Sequence, residues 1–235
     1  MFPDGSHLAE PGNDELADKL GLSRVTSEPM YDLITIATTN FEQVADRTGD
    51  IVAFLQGYSN TWDELAGHTP AAQHHIDDIG YTAAVLAALS PLVGYNTSRV
   101  AVTGLSNGAL MVETLGCRLA SKIRLIVPVE GELASAVSPS CAPSRPINVL
   151  EIHGTADPSI PYNGGVFIGV GGAVSVLYAR ATVARWAHLG PLRDRARHHA
   201  GPWNHADSLC PLPLWRLGNP SYHRRRRARL GVQYR

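Results

Sequence analysis

Apolar positions along this chain follow two alternating periods. Short apolar runs at residues 51–55 (IVAFL), 100–103 (VAVT), 123–129 (IRLIVPV) and 147–152 (INVLEI) are rich in β-branched residues and bounded by turn formers. They predict buried strands. Between them the spacing becomes helical. Phe41, Val44 and Ala45 share one face of a predicted helix over 41–47, capped by Asn40 and ended by Gly49. Asp77 or Asp78 opens a second through Ile79, Ala83, Ala84, Leu86, Ala87 and Leu89, closed by Pro91 and Gly94. A third follows Gly108, and a fourth is predicted over 174–186 from Val176, Leu177, Ala181, Val183 and Trp186. Residues 56–75 read as a long loop. Strands alternating with helices predict an α/β fold, a mostly parallel sheet with helices on both faces.

The pattern is not sustained at either end. Residues 1–40 are a poorly defined arm rich in Gly, Pro and acidic residues, with 31–36 as a candidate edge strand. After Ala187 both periods stop. Residues 188–235 contain one Val, Val232, and no Ile, yet ten of the eighteen arginines and five of the ten histidines. The expected organisation is an arm (1–40), an α/β core (41–187) and an aberrant Arg-rich tail (188–235), expected to be disordered, with the sheet incomplete at both ends.

Composition changes this picture little. A chain of 235 residues, 44% hydrophobic, has room for one such core. A net charge of -1 gives no global reason to bind nucleic acid. No apolar stretch is long enough to span a membrane, and no basic n-region followed by an apolar h-region marks a signal peptide. Cys117, Cys141 and Cys210 are an odd set, which leaves one unpaired.

The candidate chemistry sits where the run at 100–103 ends. Gly104-Leu105-Ser106-Asn107-Gly108 is a G-x-S-x-G pattern between a predicted strand and a predicted helix. The glycines permit a tight turn, which lifts the serine off the sheet edge. The helix N-terminus behind it offers N–H groups to a developing oxyanion. The run at 147–152 leads into His153-Gly154-Thr155-Ala156-Asp157. Ligands of parallel sheets gather at the carboxyl ends of strands, so Ser106 and Asp157 are expected to share a site. The histidines lack metal-ligand spacing with Cys or carboxylates, so neither a metal nor an organic cofactor is expected.

These residues resemble a known family: secreted α/β-hydrolase esterases of the polyhydroxybutyrate-depolymerase-like and feruloyl-esterase-like type. The resemblance covers about residues 41–187. It rests on 45–58, on Gly104 to Ala109, and above all on HGTADPSIPYNGG from His153 to Gly165. It implies an α/β-hydrolase fold, an extracellular location and a small-molecule or polymeric ester as substrate: a feruloylated sugar, a short acyl ester or a hydroxyalkanoate oligomer. By the same resemblance Ser106 attacks the ester carbonyl, Asp157 orients the catalytic histidine, the Asn107 main chain donates to the oxyanion, and Cys117 pairs with Cys141. His153 precedes Asp157 too closely for the family's Ser, Asp, His order and is read as structural. Tyr58 and Trp62 are candidates to line an acyl or aromatic pocket.

Two family features are missing. No His-Gly pair occurs upstream of the elbow, and no Gly-Gly-Gly-His-x-Trp motif occurs near the C-terminus. His205 and His223 are the candidate histidines left in the tail. A shift of reading frame accounts for the tail: codons for Gly-Gly-Gly-His-Ala-Trp-Gly in a GC-rich gene, read two bases late, give the Arg-Arg-Ala-Arg-Leu-Gly of Arg226 to Gly231. The alternative to an active esterase is then an inactive hydrolase remnant without its general base. A reading of another class, a binding module using Arg224 to Arg227 on nucleic acid or anionic lipid, has no accompanying aromatic platform or helix-turn-helix pattern. No nucleic-acid or membrane partner is expected.

Overall fold

The computed structural model describes residues 39–96 and 99–189, with the backbone of short strands at 196–198, 207–209 and 231–232. The arm before residue 39, with its candidate edge strand, and most of the tail, including His205, Cys210, His223 and Arg224 to Arg227, lie outside the described residues. The chain divides into two units, Met1–Asn60 with Pro213–Arg235, and Thr61–Leu212.

In the first unit, helix α1 (Phe41–Thr48) ends at Gly49, whose left-handed φ of 75° lets its N–H return to the Ala45 carbonyl. Of the run predicted as a strand at 51–55, only β1 (Phe54–Leu55) is strand; it pairs in parallel with Gly231–Val232. A 3₁₀ turn, Tyr58–Asn60, follows.

The second unit is a mixed α/β arrangement around a small sheet. Residues 61–75 are not one loop, because Thr69-Pro70 starts a short helix, α2 (Pro70–Gln73). The Thr69 hydroxyl caps the Ala72 N–H, and proline suits the first helical position. Helix α3 (Asp78–Val93) is capped by Asp77 and runs through Pro91 to stop at Gly94. Strand β2 (Ala101–Leu105), helix α4 (Asn107–Arg118), strand β3 (Leu125–Val129) and strand β4 (Asn148–Leu150) follow. The three strands are parallel neighbours, with Leu105 opposite Val129 at the carboxyl end. Two strands at 196–198 and 207–209 extend the sheet antiparallel beyond β4.

The helix predicted over 174–186 begins only at α5 (Ala179–Leu189). Residues before it form a hairpin of β5 (Gly165–Gly169) and β6 (Gly172–Val176). Val174 and Val176 are buried with Ser175 less so between them, which is a period of two. Gly171 makes the turn possible: its φ is 98°, and a side chain there would strike the His68 carbonyl. Under the sheet, Met111, Leu115, Ile123, Ile126, Val149 and Trp186 form the main core. Cys117 and Cys141 join as a disulfide at its edge, with Cα atoms 4.8 Å apart. No helix among the described residues is long and apolar enough to cross a membrane.

Candidate active site

Ser106 occupies the corner between β2 and α4, with φ 58° and ψ −120°, a conformation that costs a non-glycine residue about 1–3 kcal/mol. The surroundings hold it there. Its N–H donates to the Val129 carbonyl at 3.0 Å, and its own carbonyl accepts from the N–H groups of Ala109 and Leu110. Strand and helix approach so closely that a Cβ on Gly104 would lie 2.5 Å from the Gly108 oxygen. Gly131 fits as tightly: its Cβ would lie 2.8 Å from the Ser106 carbonyl oxygen. The Ser106 side chain is left exposed at the carboxyl end of the sheet.

Asn107 follows as the first helical residue, and the first N–H groups of a helix have no partner within it. Its side chain is anchored: Oδ1 accepts from the Trp62 N–H at 2.8 Å and Nδ2 donates to Glu64 Oε2 at 3.0 Å. Glu64 and His68 are both buried and meet at 2.8 Å. Trp62 packs on the main core and ties this segment to the elbow.

Asp157 stands beyond β4. Its Oδ1 accepts from the N–H groups of Ser159 at 2.7 Å and Ile160 at 3.0 Å. Its Oδ2 lies 3.2 Å from Nε2 of His153. A cavity of about 370 Å³ opens above the strand ends, and Leu105, Ser106, Glu130, Asp157, Ser159 and Ile160 all line it. Ser106 and Asp157 therefore share one cavity. No described histidine lines it. His205 and His223 lie outside the described residues, and Tyr58 belongs to the other unit.

His153 is buried behind the cavity. Its Nδ1 contacts Glu132 Oε1 at 2.7 Å and its Nε2 the Ile160 carbonyl at 2.9 Å. Burial pulls its pKa down, but the Glu132 bond and charge, the Ile160 carbonyl and the Asp157 charge outweigh that and raise it. Behind it lie Glu113, Glu132 and Glu151, all buried. The Trp186 indole N–H donates to Glu113 Oε2. Burial pushes the Glu113 pKa up to about 8; the Trp186 bond opposes this, while the Glu132 charge adds to it. Glu132, Glu151 and His153 present ligand atoms within 4.8 Å of one another, a spacing that a metal ion could use. Both His153 nitrogens already have hydrogen-bond partners. Sequence reasoning missed these three acids, which are far apart along the chain. The available signal was a glutamate inside an apolar run, in MVETL and in NVLEI.

The chain is 28% identical over 144 residues, 60% of its length, to feruloyl esterase B of Piromyces equi. It is 26% identical over 165 residues, 67% of its length, to NocK of Nocardia uniformis subsp. tsuyamanensis, a protein classed as an esterase. It is also 24% identical over 145 residues to the bifunctional acetylxylan esterase/xylanase XynS20E of Neocallimastix patriciarum. The chain spans 27%, 48% and 19% of the lengths of these proteins. No family model and no solved structure matches it. The chain is thus distantly similar to known esterases.

Proposed function

We propose that this protein is a serine-dependent carboxylic-ester hydrolase of the α/β-hydrolase fold. The observation that carries this reading is the strained backbone of Ser106 at a strand–helix turn, in one cavity with Asp157. Ser106 Oγ attacks the ester carbonyl while a histidine takes its proton. The alcohol leaves with that proton, and water then releases the acyl group from Ser106. The Asn107 N–H donates to the oxyanion. Asp157, fixed by Ser159 and Ile160, orients that imidazole; the candidates to supply it, His205 and His223, lie outside the described residues. The substrate is a feruloyl-type, short acyl or hydroxyalkanoate ester. The chemistry requires no cofactor. The disulfide supports an oxidising, extracellular setting.

One observation favours a second reading. No described histidine lines the cavity, as in an inactive hydrolase remnant whose tail from 188 onward is out of frame. Loss of the general base costs about 10⁶-fold in turnover. Hydrolysis of methyl ferulate and p-nitrophenyl acetate by the purified chain decides between them. The active reading expects turnover that Ser106→Ala abolishes and that either His205→Ala or His223→Ala abolishes. Turnover at the level of buffer establishes the remnant.

A further inference from the structure

Glu130 is a charged residue lining the cavity that the ester chemistry does not use. It follows β3 directly, as Ser106 follows β2, and the register sets Leu105 opposite Val129. Ser106 and Glu130 therefore leave neighbouring strands at the same level, and paired strands lie about 4.8 Å apart. The Glu130 backbone is fixed. Its φ is 52°, left-handed for a residue with a side chain, and its N–H donates to the Ile152 carbonyl at 2.8 Å. Gly131 then packs on the Ser106 carbonyl. The Glu130 side chain is exposed and lines the cavity, and among the described residues no ion pair occupies its carboxylate. Among the described residues, the other charged group lining the cavity is Asp157, also an acid, and no lysine or arginine lines it. An ester seated on Ser106 thus meets the Glu130 carboxylate at the adjoining strand end.

We propose that Glu130 sets the charge selectivity of this cavity. It disfavours esters that carry a carboxylate close to the scissile bond, and it admits neutral, hydroxyl-bearing esters and cationic ones. The inference deepens the hydrolase reading and rests on it. Among the candidate substrates, it selects feruloylated sugars and short acyl esters over hydroxyalkanoate oligomers ending in a free carboxylate. A glutamate hydroxyl acceptor beside the nucleophile also suits a sugar alcohol, whose O–H groups donate to it.

The test uses arylboronic acids, which add reversibly to a reactive serine hydroxyl and need no turnover. Binding of 4-carboxyphenylboronic acid and of its 4-trimethylammonio counterpart is measured by calorimetry on the full-length chain, on Glu130→Gln, on Glu130→Asp and on Ser106→Ala. Comparing each pair between variants cancels their intrinsic difference in acidity. Glu130→Gln is expected to reduce the preference for the cation by about tenfold, the scale of a like-charge contact in a part-solvated site. Glu130→Asp is expected to keep most of it, and 0.5 M salt to weaken it in the wild type. A preference within twofold of wild type in Glu130→Gln, with binding still lost in Ser106→Ala, overturns the role of Glu130 and leaves the hydrolase reading intact. Binding that is absent, or that persists in Ser106→Ala, overturns the hydrolase reading and this inference with it.

Discussion

Ser106 holds a conformation that the backbone alone disfavours, so its position and its strain are linked. Removing the hydroxyl does not relieve the strain, but removing the Cβ does. Ser106→Gly is therefore expected to melt above Ser106→Ala, by a margin worth about 1 kcal/mol, with both variants inactive. Equal melting temperatures would show that the corner is not strained. The buried acids behind the site titrate against stability. The folded chain keeps a proton on Glu113 up to about pH 8, whereas the unfolded chain releases it near the ordinary 4.5. The folded state binds more protons across that window, so stability falls as pH rises through it. His153 acts in the same direction: its contribution is complete below the ordinary 6.5 and is lost as pH rises through its raised value. The wild-type melting temperature is expected to fall between pH 5.5 and 8.5, and to fall less in Glu113→Gln, which keeps an oxygen for the Trp186 N–H. Parallel profiles would remove Glu113 from the explanation.

At the scale of elements, the hairpin of β5 and β6 has two unlike faces. Val174 and Val176 are buried against Leu110 and Ile160, while Val166 and Ile168 are 68% and 79% exposed. Val176→Ala is expected to cost about 1.5–3 kcal/mol in denaturant unfolding, and Ile168→Thr less than about 0.5. Similar costs would mean that the exposed face is covered. The hairpin also shows where sequence reasoning failed. Val174, Val176 and Leu177 fit a helical face as well as a strand, and the glycines that decide the matter lie in the turn just before them. The elbow was legible because its requirements are local: an apolar run, glycines on both sides of a serine, then a helix. The end of β4 was legible for the same reason. The cluster of Glu113, Glu132, Glu151 and His153 was not, because it is assembled by strand and helix pairing. Nor was Glu130, whose proximity to Ser106 follows from the register of β2 with β3.

For the whole molecule, the disulfide joins the last turn of α4 to the loop before β4, across 24 residues. In the chain-entropy view, closing such a loop contributes about 3–4 kcal/mol. The double variant Cys117→Ser with Cys141→Ser is expected to unfold at lower denaturant by that amount, and a loss below about 1 kcal/mol would contradict it. The central claim is that this assembly presents an activated serine nucleophile. The most direct measurement is reaction of the purified full-length chain with a fluorophosphonate, followed by peptide mapping by mass spectrometry. Stoichiometric labelling at Ser106 that is lost on heat denaturation is the expected result. Labelling that is absent, or that falls on other serines as often as on Ser106, would contradict it.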